Sequence, residues 1–285
     1  MPEAVLESAR AKLNLFLRIL GRREDGDHDI ETMVLPLTLA DHVTVETRDD
    51  LGIVVTITGP EAGKVPTGEG NLAFRAAAVL REETGRPDGV GITIDKRIPV
   101  AAGLGGGSAD AAAVLRALGR AWSVPVDDLM AAAARVGSDV PALVTREPVL
   151  ARGRGESIEP VDVAGLDWVL LRRPFGVSAA DAYRWWDDDG VQSGPDPGPV
   201  IEAARAGDVD ALSSLLFNDL ERPVAGRHPE VIEATRVLLE AGAVGTIMCG
   251  SGPTVAGLCR DGRHASEVAA ATGGIAVSTI ARPPE

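Results

Sequence analysis

Between Val5 and Ile19 apolar side chains fall at 13, 15, 17 and 19 with polar ones between them, the period of two that a strand requires. Val43-Thr-Val45, Ile53-Val-Val-Thr-Ile57 and Gly91-Ile-Thr-Ile-Asp95 are β-branched and read as further strands. From Asn71 to Glu83 the spacing of Leu72, Ala73, Ala76, Ala77 and Leu80 predicts a helix with one apolar side. A glycine-rich loop follows Pro99, and Ala109–Leu118 after it is a strong helix former. Val126–Val136 predicts a second alanine-rich helix with Asp127 as its N-cap. In the turn Gly137-Ser-Asp-Val-Pro141, the residue before proline is biased away from helix. The Pro/Gly/Asp stretch from Asp187 to Pro199 is the most loop-like part of the chain. Helical patterns resume at Val200–Ala206, Val209–Phe217 and Pro229–Ala241. Gly245–Cys249 and Thr254–Leu258 predict two strands about the turn Gly250-Ser-Gly-Pro253, and a helix over His264–Ala271 and a strand over Ile275–Ile280 close the chain. The mixed order of elements points to an α+β protein with one domain to about residue 160 and a second after it.

Composition narrows this picture. The 285 residues are 45% apolar, enough for a real core, yet contain no apolar run of the ~18 residues that a membrane span needs. Met1–Arg10 carries two glutamates and no apolar segment of the secretory type, and Cys249 and Cys259 make no disulfide framework. Buried thiols in a reducing cytoplasm are the expectation. A formal charge of −14 disfavours nucleic acid as a partner, and a phosphate bound here has to be held by local donors. Only three of the 28 basic residues are lysines, Lys12, Lys64 and Lys96. That is either codon bias or the retention of lysine where a compact ammonium is needed.

The candidate chemistry centres on Gly103-Leu-Gly-Gly-Gly-Ser108. Without Cβ atoms such a loop lets an anion approach the main chain, and the helix after it offers orphan N–H groups. The nucleotide P-loop needs a lysine that is missing here, and the dinucleotide fingerprint fails because Ser108 stands at its last glycine. Alone, the loop is a phosphate cradle or simply a tight turn. Lys12 and Asn14 share one face of the first strand, polar among leucines, which describes either a site or a solvent-facing edge. His28 sits in the turn Asp25-Gly-Asp-His28, and Asp139 in a turn where aspartate commonly serves as a cap.

Taken in order, Lys12-Leu-Asn14, the loop near 105, Gly137-Ser-Asp-Val-Pro141 and Gly250-Ser-Gly-Pro253 resemble the GHMP kinase superfamily. Within it, Ala11–Leu17, Gly21–His28 and Lys96-Arg-Ile-Pro99 are most similar to kinases of a cytidine-diphosphate-linked alcohol in isoprenoid synthesis. The resemblance implies a two-lobed α+β fold. Residues 1–160 would form an N-terminal ATP-binding domain of the ribosomal S5 domain 2 type, and 161–285 a ferredoxin-like C-terminal domain. It implies ATP and Mg²⁺ as cofactors, with Asn71, Pro99 and the loop residues Gly103, Leu104, Gly105, Gly106, Gly107 and Ser108 on the nucleotide. Asp139 and Lys12 would be catalytic, and Asn14, Asp27, His28, Lys96 and Tyr183 would line the substrate side. Ser108 is the loop hydroxyl offered to the metal, although the sequence fixes no ligand set. The expected partner is a small molecule, with neither nucleic acid nor membrane involved, and the chain a monomer or weak homodimer. One departure stands out, because Asp27 occupies a place where this family usually has tyrosine. That aromatic would stack on the cytosine, an interaction worth roughly 1–3 kcal/mol. Asp27 therefore keeps open a homoserine- or mevalonate-type substrate, and a catalytically silent nucleotide-binding homologue is a third reading.

Overall fold

In the computed structural model, which describes residues 4–281, the period-two run at the start becomes β1 (Val5–Arg22). It is followed by β2 (His28–Arg48), β3 (Ile53–Thr58), a 3-10 turn (Ala62–Lys64) and α1 (Leu72–Thr84). Then come β4 (Gly89–Asp95), α2 (Gly106–Trp122), α3 (Val126–Val136) and α4 (Val140–Thr145). The chain gathers into two compact units, and both β1 and β2 contribute to each. The first unit takes residues up to Ala11, Leu39–Val100 and Gly105–Arg146. The second takes Lys12–Thr38, Ala101–Leu104 and everything from Glu147 onward. This division interleaves segments of the chain.

In the first unit the strands run β3-β4-β2-β1, with β3 parallel to β4 and β4 antiparallel to β2. Asn71 caps α1 by accepting from the Ala73 N–H at 2.8 Å, and Gly85 ends the helix at a φ of 64° that suits glycine. α2 is buried on nearly every side and packs against α1, α3 and α4. Its run of alanines follows from that, since only small side chains allow helices to close in from several directions. Asp127 is not the cap of α3: Pro125 holds that position and Asp127 lies in the first turn, where a carboxylate still favours the helix dipole. Val140 is helical despite the proline after it, because Pro141 falls in the first turn of α4, where its missing N–H had no intrahelical acceptor.

The second unit adds β5 (Val149–Gly153), β6 (Ser157–Pro160), β7 (Asp167–Leu171), α5 (Ala179–Asp189), α6 (Gly198–Ala206), α7 (Val209–Leu215) and β8 (Phe217–Asn218). α8 (Glu221–Arg227), α9 (Glu230–Glu240), β9 (Gly245–Met248), β10 (Val255–Cys259), α10 (Gly262–Thr272) and β11 (Ile275–Ser278) complete it. β5 pairs with β2 and with β6, and β8 pairs with β1 through Phe16 opposite Phe217. Phe217 is therefore a strand residue, not the end of a helix. A separate antiparallel sheet runs β11-β7-β10-β9, with α9 and α10 packed on its strands. Numbered in chain order, its strands lie 4-1-3-2, the ferredoxin-like arrangement. Trp168, Val169, Leu258 and Cys259 are fully buried in it.

Candidate active site

The glycine loop owes its shape to alternating backbone signs. Ala101, Gly103 and Gly105 have φ of 54°, 78° and 67°, while Ala102 and Leu104 between them do not. Such alternation turns successive N–H groups toward one concave side, a surface suited to anions. The loop ends as the N-terminus of α2, whose first intrahelical bond is Ala109 N–H to Gly105 O at 2.8 Å. The N–H groups of Gly106, Gly107 and Ser108 thus have no intrahelical acceptor and face the loop side of the helix. A Cβ on Gly103 would lie 1.8 Å from the Cys249 carbonyl oxygen, so only glycine permits this approach.

In the second unit Lys12, Asn14, Gly103–Leu104 and the turn after β9 form one polar cradle. The Lys12 N–H donates to Leu104 O at 3.0 Å. Lys12 Nζ donates to Asn14 Oδ1 at 2.6 Å, and Asn14 Nδ2 to Thr32 Oγ1 at 2.9 Å. Both Lys12 and Asn14 are buried, which settles the strand face as internal. A Cβ on Gly250 would come within 2.7 Å of Lys12 Nζ and 3.1 Å of Gly103 O. Asn218 holds this turn by donating to Met248 O at 2.8 Å and Gly250 O at 2.7 Å. Beside it, burial pushes the Cys249 thiol up to about 12 and leaves it inert as a nucleophile.

In the first unit Asp139 occupies the N-cap of α4, but its side chain makes no capping bond. The cap role expected of an aspartate in such a turn is thus not what its carboxylate does. Asn71 uses its amide within the fold, accepting from Ala73 N–H and donating to Pro66 O at 2.8 Å. Pro99 is buried. Lys96 is buried as well, and its Nζ donates to Asp110 Oδ2 at 2.7 Å and to Asp41 Oδ2. The ammonium is engaged by these two carboxylates rather than turned outward. Burial pushes the Asp110 carboxyl up to about 8, against the pull of Lys96 and with Asp41 adding to the rise.

His28 stands on the second unit at the start of β2. Its ring stacks on Tyr183 with centroids 4.9 Å apart, meets Trp186 edge-on at 5.8 Å, and its Nε2 lies 2.9 Å from Asp187 Oδ1. Arg22 approaches the same carboxylate at 3.7 Å. Asp27, where an aromatic was expected, is exposed and pairs with Arg154 at 3.3 Å. The sequence reading overlooked Asp187, Asp41, Asp110, Thr32 and Asn218. A signal existed for two of them: Asp187 is one helical turn past Tyr183, and Asp110 is the one carboxylate in an alanine run. Asp41, Thr32 and Asn218 act through strand partners distant in sequence, which no local pattern reports.

Comparison with known proteins agrees with this geometry. Residues 71–147 match the GHMP kinases N terminal domain and residues 200–272 the GHMP kinases C terminal domain. The chain is 40% identical to 4-diphosphocytidyl-2-C-methyl-D-erythritol kinase of Alkaliphilus metalliredigens over 264 residues, 92% of this chain and 89% of that one. It superposes on a crystal structure of 4-(cytidine 5'-diphospho)-2C-methyl-D-erythritol kinase with a TM-score of 0.80 at 34% identity, covering 98% of this chain and 100% of that one. Homoserine kinase from Cytophaga hutchinsonii shares the fold, with a TM-score of 0.70 at 16% identity over 95% of this chain and 94% of its own. The chain belongs to the GHMP kinases and, within them, to the family of 4-diphosphocytidyl-2-C-methyl-D-erythritol kinases.

Proposed function

We propose that this chain transfers the γ-phosphoryl group of ATP to the 2-hydroxyl of 4-diphosphocytidyl-2-C-methyl-D-erythritol. The observation that carries the reading is the cradle in which Lys12, Asn14, Gly103–Leu104 and the turn at Gly250 are built against one another. Phosphoryl transfer asks a protein mainly for positioning and charge neutralisation. The N–H groups at the start of α2 receive the phosphates of ATP, and the Lys12 ammonium offsets charge on the transferred group. The alcohol oxygen bonds to the γ-phosphorus as the bond to the β–γ bridging oxygen breaks, ADP leaves, and the alcohol proton passes to the Asp139 carboxylate. Among the described residues no group of three or more His, Cys, Asp or Glu is placed to hold a metal. Mg²⁺ bound to phosphates takes few protein ligands, so it enters here as part of MgATP, with the Ser108 hydroxyl at hand in the first turn of α2.

His28 and Tyr183 take the cytosine end, with Asn14 toward the alcohol. The described helices include none long and apolar enough to cross a membrane. A different alcohol in the same site is the second reading, and it rests on Asp27 standing where an aromatic is usual. A panel of MgATP with the cytidine substrate, homoserine or mevalonate separates the two. ADP release with the cytidine substrate alone supports the first, and release with another alcohol alone supports the second.

A further inference from the structure

The phosphate-transfer reading leaves one buried polar cluster without a role, Lys96 with Asp41 and Asp110. All three side chains are 3% exposed or less. Burying three ionisable groups is costly, and well-packed apolar residues of similar volume often do as well or better for stability alone. What the cluster does is join elements. Asp41 on β2 accepts from the N–H groups of Arg97 at 2.5 Å and Ile98 at 2.8 Å, fixing the segment that leaves β4. Lys96, at the head of that segment, reaches across to Asp110, one turn into α2. A Cβ on Gly106 would lie 3.0 Å from both Lys96 Nζ and Ile98 Cγ2, so the first residue of α2 rests directly on this ammonium. A cation beneath a helix N-terminus opposes the helix dipole. The Asp41 carboxylate offsets that cost, and an anion above the same turn would offset it further. Asp110 Oδ1 has no hydrogen-bond partner among the described residues, so the carboxyl is held through Oδ2 and Lys96.

We propose that Lys96, gripped by Asp41 and Asp110, is a positioning residue for the phosphate loop: it pins the first turn of α2 to the end of β4, so that the N–H groups of Gly106, Gly107 and Ser108 are set for a phosphate before the nucleotide arrives. The proposal rests on the reading that this loop takes nucleotide phosphates. It moves Lys96 from the substrate to the scaffold beneath the nucleotide, and it makes Asp110 and Asp41 its partners.

The test titrates wild type, Lys96→Met, Asp110→Ala and Asp110→Asn with MgADP by calorimetry and with adenosine by ligand-observed NMR, each variant first checked for folding by circular dichroism. The expected result is MgADP affinity about tenfold or more weaker in Lys96→Met and Asp110→Ala, with adenosine within about twofold of wild type. Asp110→Asn, which still accepts from Lys96, restores most of the MgADP affinity. Unchanged MgADP binding in the folded variants overturns the proposal. So does a parallel loss of MgADP and adenosine, the mark of general loosening. If Lys96→Met does not fold, Asp110→Ala against Asp110→Asn decides alone. Wild type that fails to bind MgADP overturns the nucleotide reading itself, a different outcome from wild type that binds and variants that bind equally.

Discussion

Asp139 shows how a residue's role changes once its surroundings are known. In sequence it is a turn former, and in the fold it takes the N-cap position without using its carboxylate as a cap. A proposed base of this kind contributes about 10²–10⁴-fold to rate. Asp139→Asn is therefore expected to lose that much in kcat while calorimetry finds MgADP binding intact; activity within a few fold of wild type would remove Asp139 from the chemistry. Tyr183 and Asp27 carry two further single-residue predictions. Base–aromatic stacking is worth about 1–3 kcal/mol, so Tyr183→Ala should raise KM for the cytidine substrate on the order of tenfold and leave KM for ATP unchanged. Asp27→Tyr, which loses only an exposed ion pair, should lower the same KM. Lys12, Asn14 and His28 were legible because each stood out from its pattern: polar residues among leucines, and a histidine in a glycine turn. Asp41 and Asn218 were not, because what they do depends on main-chain atoms far away in sequence.

Among the elements, the glycine loop and its helix were the most legible part of the chain, since propensity, glycine content and position all agree there. β2 was read only at its end, because Pro36 and Asp41 interrupt its apolar pattern while the strand continues through them. β7 was missed because a short apolar run in mid-sheet has no alternation to detect, and α5 because only Ala182 on it is fully buried. Two predictions belong to the loop and helix. Gly103→Ala combines a φ of 78° with a Cβ 1.8 Å from Cys249 O, so it should cost about 1–3 kcal/mol or more in thermal unfolding. Gly107→Ala meets only Leu72 Cδ1 at 3.5 Å and should leave stability equal or higher. The second concerns Asp110, whose carboxyl is raised to about 8 by burial. Between the ordinary carboxylate range and that value, the folded state holds a proton that the unfolded state has released. Stability contributed by this group is thus full in acid and is lost as pH rises through about 8. Urea unfolding at about pH 5 and about pH 8.5 should show a fall in the wild type that Asp110→Asn reduces.

Each of the two units carries part of the proposed kinase machinery. The first supplies a helix N-terminus braced from below, and the second supplies a lysine held against a turn. An acidic protein of net charge −14 that binds a polyphosphate depends on such local donors, because its overall field repels the ligand. Family membership was legible from the order of four short motifs, whereas the interleaved division of the chain was not, because β1 and β2 each serve both units. The identity of the acceptor alcohol is the central claim. Phosphorus-31 NMR of the purified protein with MgATP and 4-diphosphocytidyl-2-C-methyl-D-erythritol, homoserine or mevalonate tests it most directly. The account predicts ADP together with a new phosphomonoester signal from the cytidine substrate alone. Folded protein that binds MgADP yet transfers nothing to that substrate, or transfers to one of the other alcohols instead, would contradict it.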